Sequence, residues 1–175
     1  MGLWSSLLRR LFPGYPRAPE IASAGAGQVE LVGVVELGDV DDELRCPLTD
    51  ARACVVYYSA SAPGVTSRSY GGVLGNALDV GARTREARDF VLRDDSGAAL
   101  IRVQRGGDVN EMHRRMIEHY GLDLRAETDL LLPGERVAVR GEVLEQIGGG
   151  SPHRRGPHLL VLAAADIIRL ADGDG

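Results

Sequence analysis

No lysine occurs among the 175 residues; all 20 basic side chains are arginine. A P-loop lysine, a Schiff-base lysine and a Ser-Lys catalytic pair are thereby excluded. No lysine side chain can be acylated or take a ubiquitin-type modification. The plain source of such a bias is a genome rich in Arg, Ala and Gly codons, as in GC-rich bacteria. Cysteine is almost as scarce. Cys46 and Cys54 are separated by seven residues, which is not C-x-x-C, and no second pair completes a zinc site. Cys54 begins an apolar run and reads as a small buried hydrophobe, so a reducing, cytoplasmic compartment is expected. Aromatics make up 5% of the chain, which leaves Val, Leu, Ile and Ala to fill a core.

Catalytic patterns are missing as well. There is no G-x-S-x-G elbow, and Ser151 near His153 lies in a glycine-rich loop unable to hold a dyad. Gly148-Gly149-Gly150 runs into Pro and Arg instead of a helix, which excludes a dinucleotide fingerprint. Asp39, Asp41, Asp42 and Glu43 lack the ligand spacing and central glycine of an EF-hand, and read as a solvated acidic loop. His113 and His119 are six apart and fall on different faces of a helix, so they make no metal pair. The sequence therefore predicts no enzyme activity, no metal and no cofactor.

What is present is unevenly charged. The net charge is -5, yet residues 1–19 hold Arg9, Arg10 and Arg17 and no acid, which leaves the remainder at -8. A body that acidic is poorly suited to general DNA binding, which needs a basic surface for phosphates.

Residues 2–12 read GLWSSLLRRLF. Leu3, Trp4, Leu7, Leu8, Leu11 and Phe12 recur at helical spacing, opposite Ser5, Ser6, Arg9 and Arg10. The pattern predicts an amphipathic helix over 1–12, too short to span a bilayer but suited to its interface, with Arg9 and Arg10 toward anionic headgroups. Packing of the same stripe on the domain or on a second copy is the competing reading. The arginines interrupt any signal-peptide core. Pro, Ala and Gly over 13–27 predict a linker, and the folded domain is expected over 28–170, with a disordered tail over 171–175.

Within that domain Val29 to Leu37 predicts a first strand, with Gly33 as a bulge or close-approach point. The stretch Arg45 to Tyr58 couples turn chemistry (Cys46-Pro47-Leu48-Thr49-Asp50) to a β-branched and aromatic strand, Ala53 to Ser61. Pro63 to Ala82 shows no strong period. Two apolar runs, Ala87–Arg93 and Ala98–Val103, flank Asp94-Asp95-Ser96-Gly97 and predict a hairpin. Asp108 caps a helix from Val109 to about Tyr120, whose apolar face is Val109, Met112, Met116, Ile117 and Tyr120. Glu135 to Ile147 is a strand with Val137, Val139, Gly141 and Val143 on one side. A flexible basic loop, Gly148 to Pro157, leads to the last strand. Five or six short strands with one late helix predict a mainly β fold: a small, closed, OB-like barrel, with SH3-like barrels and sandwiches as the competing readings of the strand count.

Four segments occur in an order that resembles the GIDE domain, also called the beside-a-membrane domain. They are the first strand (GVVEL), Pro47-Leu48-Thr49 followed by Cys54-Val55-Val56-Tyr57-Tyr58, Phe90 to Gly97, and Leu132 to Val143. The resemblance covers residues 29–147, with Pro47, Leu48, Thr49, Cys54 and Tyr57 as motif positions. It implies a module placed next to a membrane, as in mitochondrial GIDE-type E3 ubiquitin ligases and bacterial relatives. Ligase activity is not expected to transfer, because a RING needs paired Cys and His zinc sites that this sequence does not contain.

The function expected from the sequence is a non-catalytic interaction or ligand-sensing module, peripheral to a membrane. Its partner would be a membrane protein, a lipid surface or a second copy of the chain. In an OB-type barrel the loops after the first strand and before the last commonly bind ligands, which makes His153, Arg154 and Arg155 a candidate anion contact. The alternative is single-stranded nucleic acid stacking on Tyr57, Tyr58 or Tyr70, of which adjacent Tyr57 and Tyr58 cannot both face outward. A remote alternative is an accessory to a ubiquitin-ligase-like system.

Overall fold

A computed structural model describes residues 15–38, 42–61, 82–120, 124–147 and 159–171. The expected N-terminal helix with Leu3, Trp4, Leu7, Leu8, Arg9, Arg10, Leu11 and Phe12 lies outside the described residues, as do the 172–175 tail, Tyr70 and the loop with His153, Arg154 and Arg155. Among the described residues the strands are β1 Gly27–Leu37, β2 Leu44–Arg45, β3 Arg52–Ala53, β4 Val55–Ser61, β5 Ala82–Ala87, β6 Phe90–Asp94 and β7 Gly97–Arg102. An α-helix follows, α1 Val109–Tyr120, and then β8 Arg125–Leu131, β9 Arg136–Gln146 and β10 Leu160–Arg169.

The single barrel domain expected over 28–170 is instead two compact units. One draws on Met1–Val40, Asp89–Val103 and Pro133–Gly175, the other on Asp41–Arg88 and Gln104–Leu132. The chain leaves the first unit twice, after β1 and after β7, and the two excursions build the second.

The first unit is a closed barrel in the order β1-β6-β7-β10-β9. All its pairings are antiparallel except β7 with β10, which is parallel. Numbered within the barrel alone, the strands run 1-2-3-5-4 and back to 1, the order of OB-type barrels. The expected fold class therefore stands. Closure depends on β1, which pairs with β9 over its first residues and with β6 over its last, and Val34 faces both Arg136 and Arg93. Period-2 alternation points Val29, Leu31, Val35, Phe90, Leu92, Ile101, Val137, Val139 and Leu162 inward, and all are buried. Gly33 is a close-approach point, as expected. A Cβ there would lie 2.5 Å from the Arg93 carbonyl oxygen.

The expected linker over 13–27 is incorrect from residue 15 onward. Pro16 accepts from the Glu30 N–H and the Ala18 N–H donates to the Glu30 carbonyl, each at 3.0 Å, so this segment pairs with β1. Glu30, buried beside it, meets the Arg140 Nε at 2.7 Å. A 3-10 turn, Ile21–Ser23, then packs Ile21 at 1% exposure. Pro and Gly content signalled a linker, but one large apolar residue and the backbone donors around it are enough to fix the segment.

Asp94 holds this turn to the β6–β7 hairpin. One carboxylate oxygen accepts from the Ile21 N–H at 2.8 Å. The other accepts from the Ser96 N–H at 2.8 Å, the Ser96 hydroxyl at 2.6 Å and the Gly97 N–H at 3.0 Å. Burial alone would raise the Asp94 carboxyl, but these four donors prevail and hold it below the usual carboxylate range. The native value is depressed, so the stabilisation is complete above the unfolded value near pH ~4 and is lost as pH falls through the native value. Asp94→Asn is expected to cost about 1–2 kcal/mol near neutral pH. Urea midpoints should show that gap at pH 7 and a progressively smaller one as pH falls below about 4. An unchanged gap would mean that the charge contributes nothing.

In the second unit the sheet runs β5-β4-β8, antiparallel throughout, with β2 and β3 as a separate two-stranded ribbon. Its core joins Leu44, Ala53, Val56, Tyr58, Ala60 and Val109, with Met112 and Met116 of α1 against it. The helix starts where Asp108 predicted. The Asp108 carboxylate accepts from the Glu111 N–H at 2.8 Å. Buried Glu86 of β5 accepts from the Val109 N–H at 2.8 Å, which ties the helix start to the sheet. Ile117, expected on the apolar face, is instead 48% exposed. Counting from Met112 and Met116, its angular position falls at the edge of the stripe.

Candidate functional site: the outer face of the β5-β4-β8 sheet

Strand β4 is central, and its alternation decides what each face can do. Val56, Tyr58 and Ala60 point to the core, whereas Tyr57 and Ser59 point away. The expectation that only one of the adjacent tyrosines faces outward holds: Tyr57 is 44% exposed and Tyr58 2%.

On the inner face the Tyr58 hydroxyl meets Nδ1 of His113 at 2.9 Å, and the two rings stand edge to face with centroids 5.5 Å apart. Burial pushes the Tyr58 hydroxyl up, so it stays protonated across the physiological range. The pair fastens α1 to the sheet and buries a polar tip with its partner present.

The motif turn lies in the same unit. Asp50 donates its N–H to the Cys46 carbonyl, Cys46 donates to the Ala51 carbonyl, and Asp50 sits at φ 58, in the left-handed region that Asp tolerates. Pro47, Leu48 and Thr49 thus wrap the buried Cys46 thiol. Burial would raise that thiol, but the Thr128 hydroxyl at 3.4 Å, the Thr49 hydroxyl and the backbone of Leu48 and Thr49 hold it below its ordinary value. At 2% exposure it has little contact with reagents in solution. Cys54 is likewise buried.

The outer face is chemically different. Register places Arg85, Tyr57 and Asp129 in one cross-strand row, and Arg83, Ser59 and Glu127 in the next. These six line an open cleft of about 460 Å³, within the range of small-molecule sites. The two arginines are on β5, the two carboxylates on β8, and the tyrosine ring stands between them. The Arg85 guanidinium carbon lies 5.8 Å from the Tyr57 ring centroid, within cation–π reach. The Arg85 Nε is buried without a hydrogen-bond partner. Arg83, Arg85 and Glu127 take part in none of the ion pairs among the described residues, whereas Arg45, Arg88, Arg93 and Arg140 all do.

Of the motif positions, the structure brings Pro47, Leu48 and Thr49 around Cys46, buries Cys54 and exposes Tyr57; only Tyr57 belongs to the cleft. Arg83, Arg85, Glu127 and Asp129 were not among the expected site residues. The one signal for the last two was the alternation of Ala126, Thr128 and Leu130 with Glu127 and Asp129.

No family model matches the chain, and no curated protein or solved structure matches it either. Among the described residues no group of three or more His, Cys, Asp or Glu is placed to hold a metal ion. No described helix is long and apolar enough to cross a membrane.

Proposed function

We propose that this protein is a non-catalytic recognition module of GIDE type that works at a membrane surface. Its recognition face is the outer side of the β5-β4-β8 sheet, and residues 2–12 hold the protein at the bilayer. The observation that carries the reading is Tyr57: a large aromatic side chain left 44% exposed on a central strand, inside a cleft, between side chains of opposite charge. Core strands do not leave such a ring in water without cost, whereas recognition surfaces favour aromatic side chains of this kind. The OB-like barrel and the order of the motif segments support the same family reading. Membrane contact is supported by the spacing of Leu3, Trp4, Leu7, Leu8, Leu11 and Phe12 opposite Arg9 and Arg10.

Nucleic acid is the weaker reading. Tyr57 offers a stacking face and Arg83 and Arg85 offer phosphate contacts, but Glu127 and Asp129 on the opposite edge would repel the next phosphate of a strand.

Co-sedimentation of the full chain with vesicles containing anionic lipid tests the surface placement. Binding should fall at least tenfold when Trp4 and Leu8 are both replaced by glutamate, and should weaken with salt. Undiminished binding of that variant would overturn the role of residues 2–12.

A further inference from the structure

The geometry points to a zwitterion as the ligand of the Tyr57 cleft: a phosphate or carboxylate group joined to a substituted ammonium, as in a phosphocholine unit. This rests on the reading of the outer sheet face as the recognition surface, and it adds the ligand's chemical class.

The argument is one of charge order. Two positive side chains, Arg83 and Arg85, occupy one edge strand, and two negative ones, Glu127 and Asp129, the other. Neighbouring strands are ~4.8 Å apart, so the two charged rows are separated by roughly 10 Å at the backbone, and side chains of both line the one cleft. A simple anion would satisfy the β5 side and be repelled from the β8 side; a simple cation would meet the reverse. A molecule carrying both charges, held in one orientation, matches Arg83 and Arg85 on one edge and Glu127 on the other, and leaves the sheet's net charge unchanged.

The ring and the burial pattern refine this. Arg85 lies 5.8 Å from the Tyr57 centroid, and the ring is still 44% exposed, so a ligand's ammonium meets it from the solvent side. A quaternary or primary ammonium is attracted to an aromatic face and to nearby carboxylates together. On the other edge, Arg83 and Arg85 line the cleft and take part in no ion pair among the described residues. A guanidinium without a carboxylate partner binds an incoming oxyanion through charge-assisted hydrogen bonds. Ser59, between Arg83 and Glu127, adds a neutral hydroxyl to the middle of the cleft. The cleft of about 460 Å³ accommodates a group of this size.

The ligand has two possible sources, a lipid headgroup or a free zwitterion. Phosphocholine and glycerophosphocholine, added separately to the full chain and followed by amide NMR, distinguish them. The expected result is saturable shifts at Tyr57, Arg85 and Asp129 with either compound. Tighter binding of glycerophosphocholine assigns the site to a headgroup, and tighter binding of phosphocholine to a free zwitterion. Tyr57→Ala and Arg85→Ala should each weaken binding at least tenfold, whereas Tyr57→Phe keeps the ring and should retain it. Glu127→Gln, a near-isosteric change on an exposed edge, should weaken it severalfold and leave the fold intact. Equal affinity for inorganic phosphate or tetramethylammonium alone overturns the zwitterion and keeps the face as a binding surface. Absence of shifts with every probe, at concentrations where these small ions saturate ordinary sites, overturns both readings.

Discussion

Replacing Tyr58 by alanine should destabilise the second unit by about 4 kcal/mol. Truncating a fully buried aromatic side chain removes its transfer free energy and leaves a cavity that neighbours fill only in part. Tyr58 is central to the core formed with Leu44, Val56, Ala60 and Val109. The alanine variant also strips the 2.9 Å partner from His113 Nδ1. Tyr58→Phe separates the two contributions: it keeps the ring and loses only the hydroxyl contact, for about 1 kcal/mol. Native-state hydrogen exchange is the right measurement, because it reports on each unit separately. The amides of β4 and β8 should lose protection in the alanine variant, while those of β1 and β9 retain it. Equal loss in both sets would mean that the two units unfold together.

The second large effect is expected in the barrel. Gly141 is an inward position of β9, paired with Val29 on one side and Ala164 on the other. A Cβ there would overlap the Ala163 carbonyl oxygen and press on the Leu162 side chain 3.1 Å away. The carbonyl lies just before a shift of the pairing register, between Ala164 and Asp166. Neither obstacle is a flexible side-chain tip free to swing aside. Gly141→Ala should therefore cost about 3 kcal/mol, at the upper end of overpacking effects, despite adding only one methyl group. Thermal and urea unfolding followed by circular dichroism would measure it. Gly134→Ala is a useful comparison, since Gly134 has φ 91 but open space around it, so its cost is backbone strain alone. A smaller effect at Gly141 than at Gly134 would show that the β9–β10 pairing adapts.

These two sites also mark what was legible beforehand. Val137, Val139, Gly141 and Val143 were readable as one strand face because each side of a barrel strand meets a different medium, core or solvent, and the sequence alternates to match. The hairpin at Asp94-Asp95-Ser96-Gly97 and the helix behind Asp108 were legible because turn and cap chemistry is local. The second unit was not. Its edge strands, β5 (ARTREA) and β8 (RAETDLL), are too polar to show apolar periodicity. They are strands because β4 pairs with both, and the partner can lie far along the chain, as with Val55 and Leu131. Tyr58 was visible as an apolar-run residue, but not as the core of a unit distinct from the barrel. The cleft was hidden for the same reason. Arg83 and Asp129 become neighbours of Tyr57's face only through long-range register, and no short motif records it. The turn residues Pro47, Leu48 and Thr49 showed the opposite behaviour, conspicuous in sequence yet engaged in wrapping a buried thiol.

The interleaved path of the chain has a kinetic consequence. The parallel pairing of β7 with β10 joins Ala99 to Leu160, and that loop contains β8 and α1 of the other unit. Closing so long a loop carries an entropic cost before any contact rewards it, and such topologies fold in milliseconds to seconds, not microseconds. During synthesis the barrel stays unsealed until its last strand has left the ribosome, although every residue of the sheet that carries Tyr57 has already emerged. Fragments that stop before Leu160 should therefore be rich in unpaired strand edges and prone to aggregate.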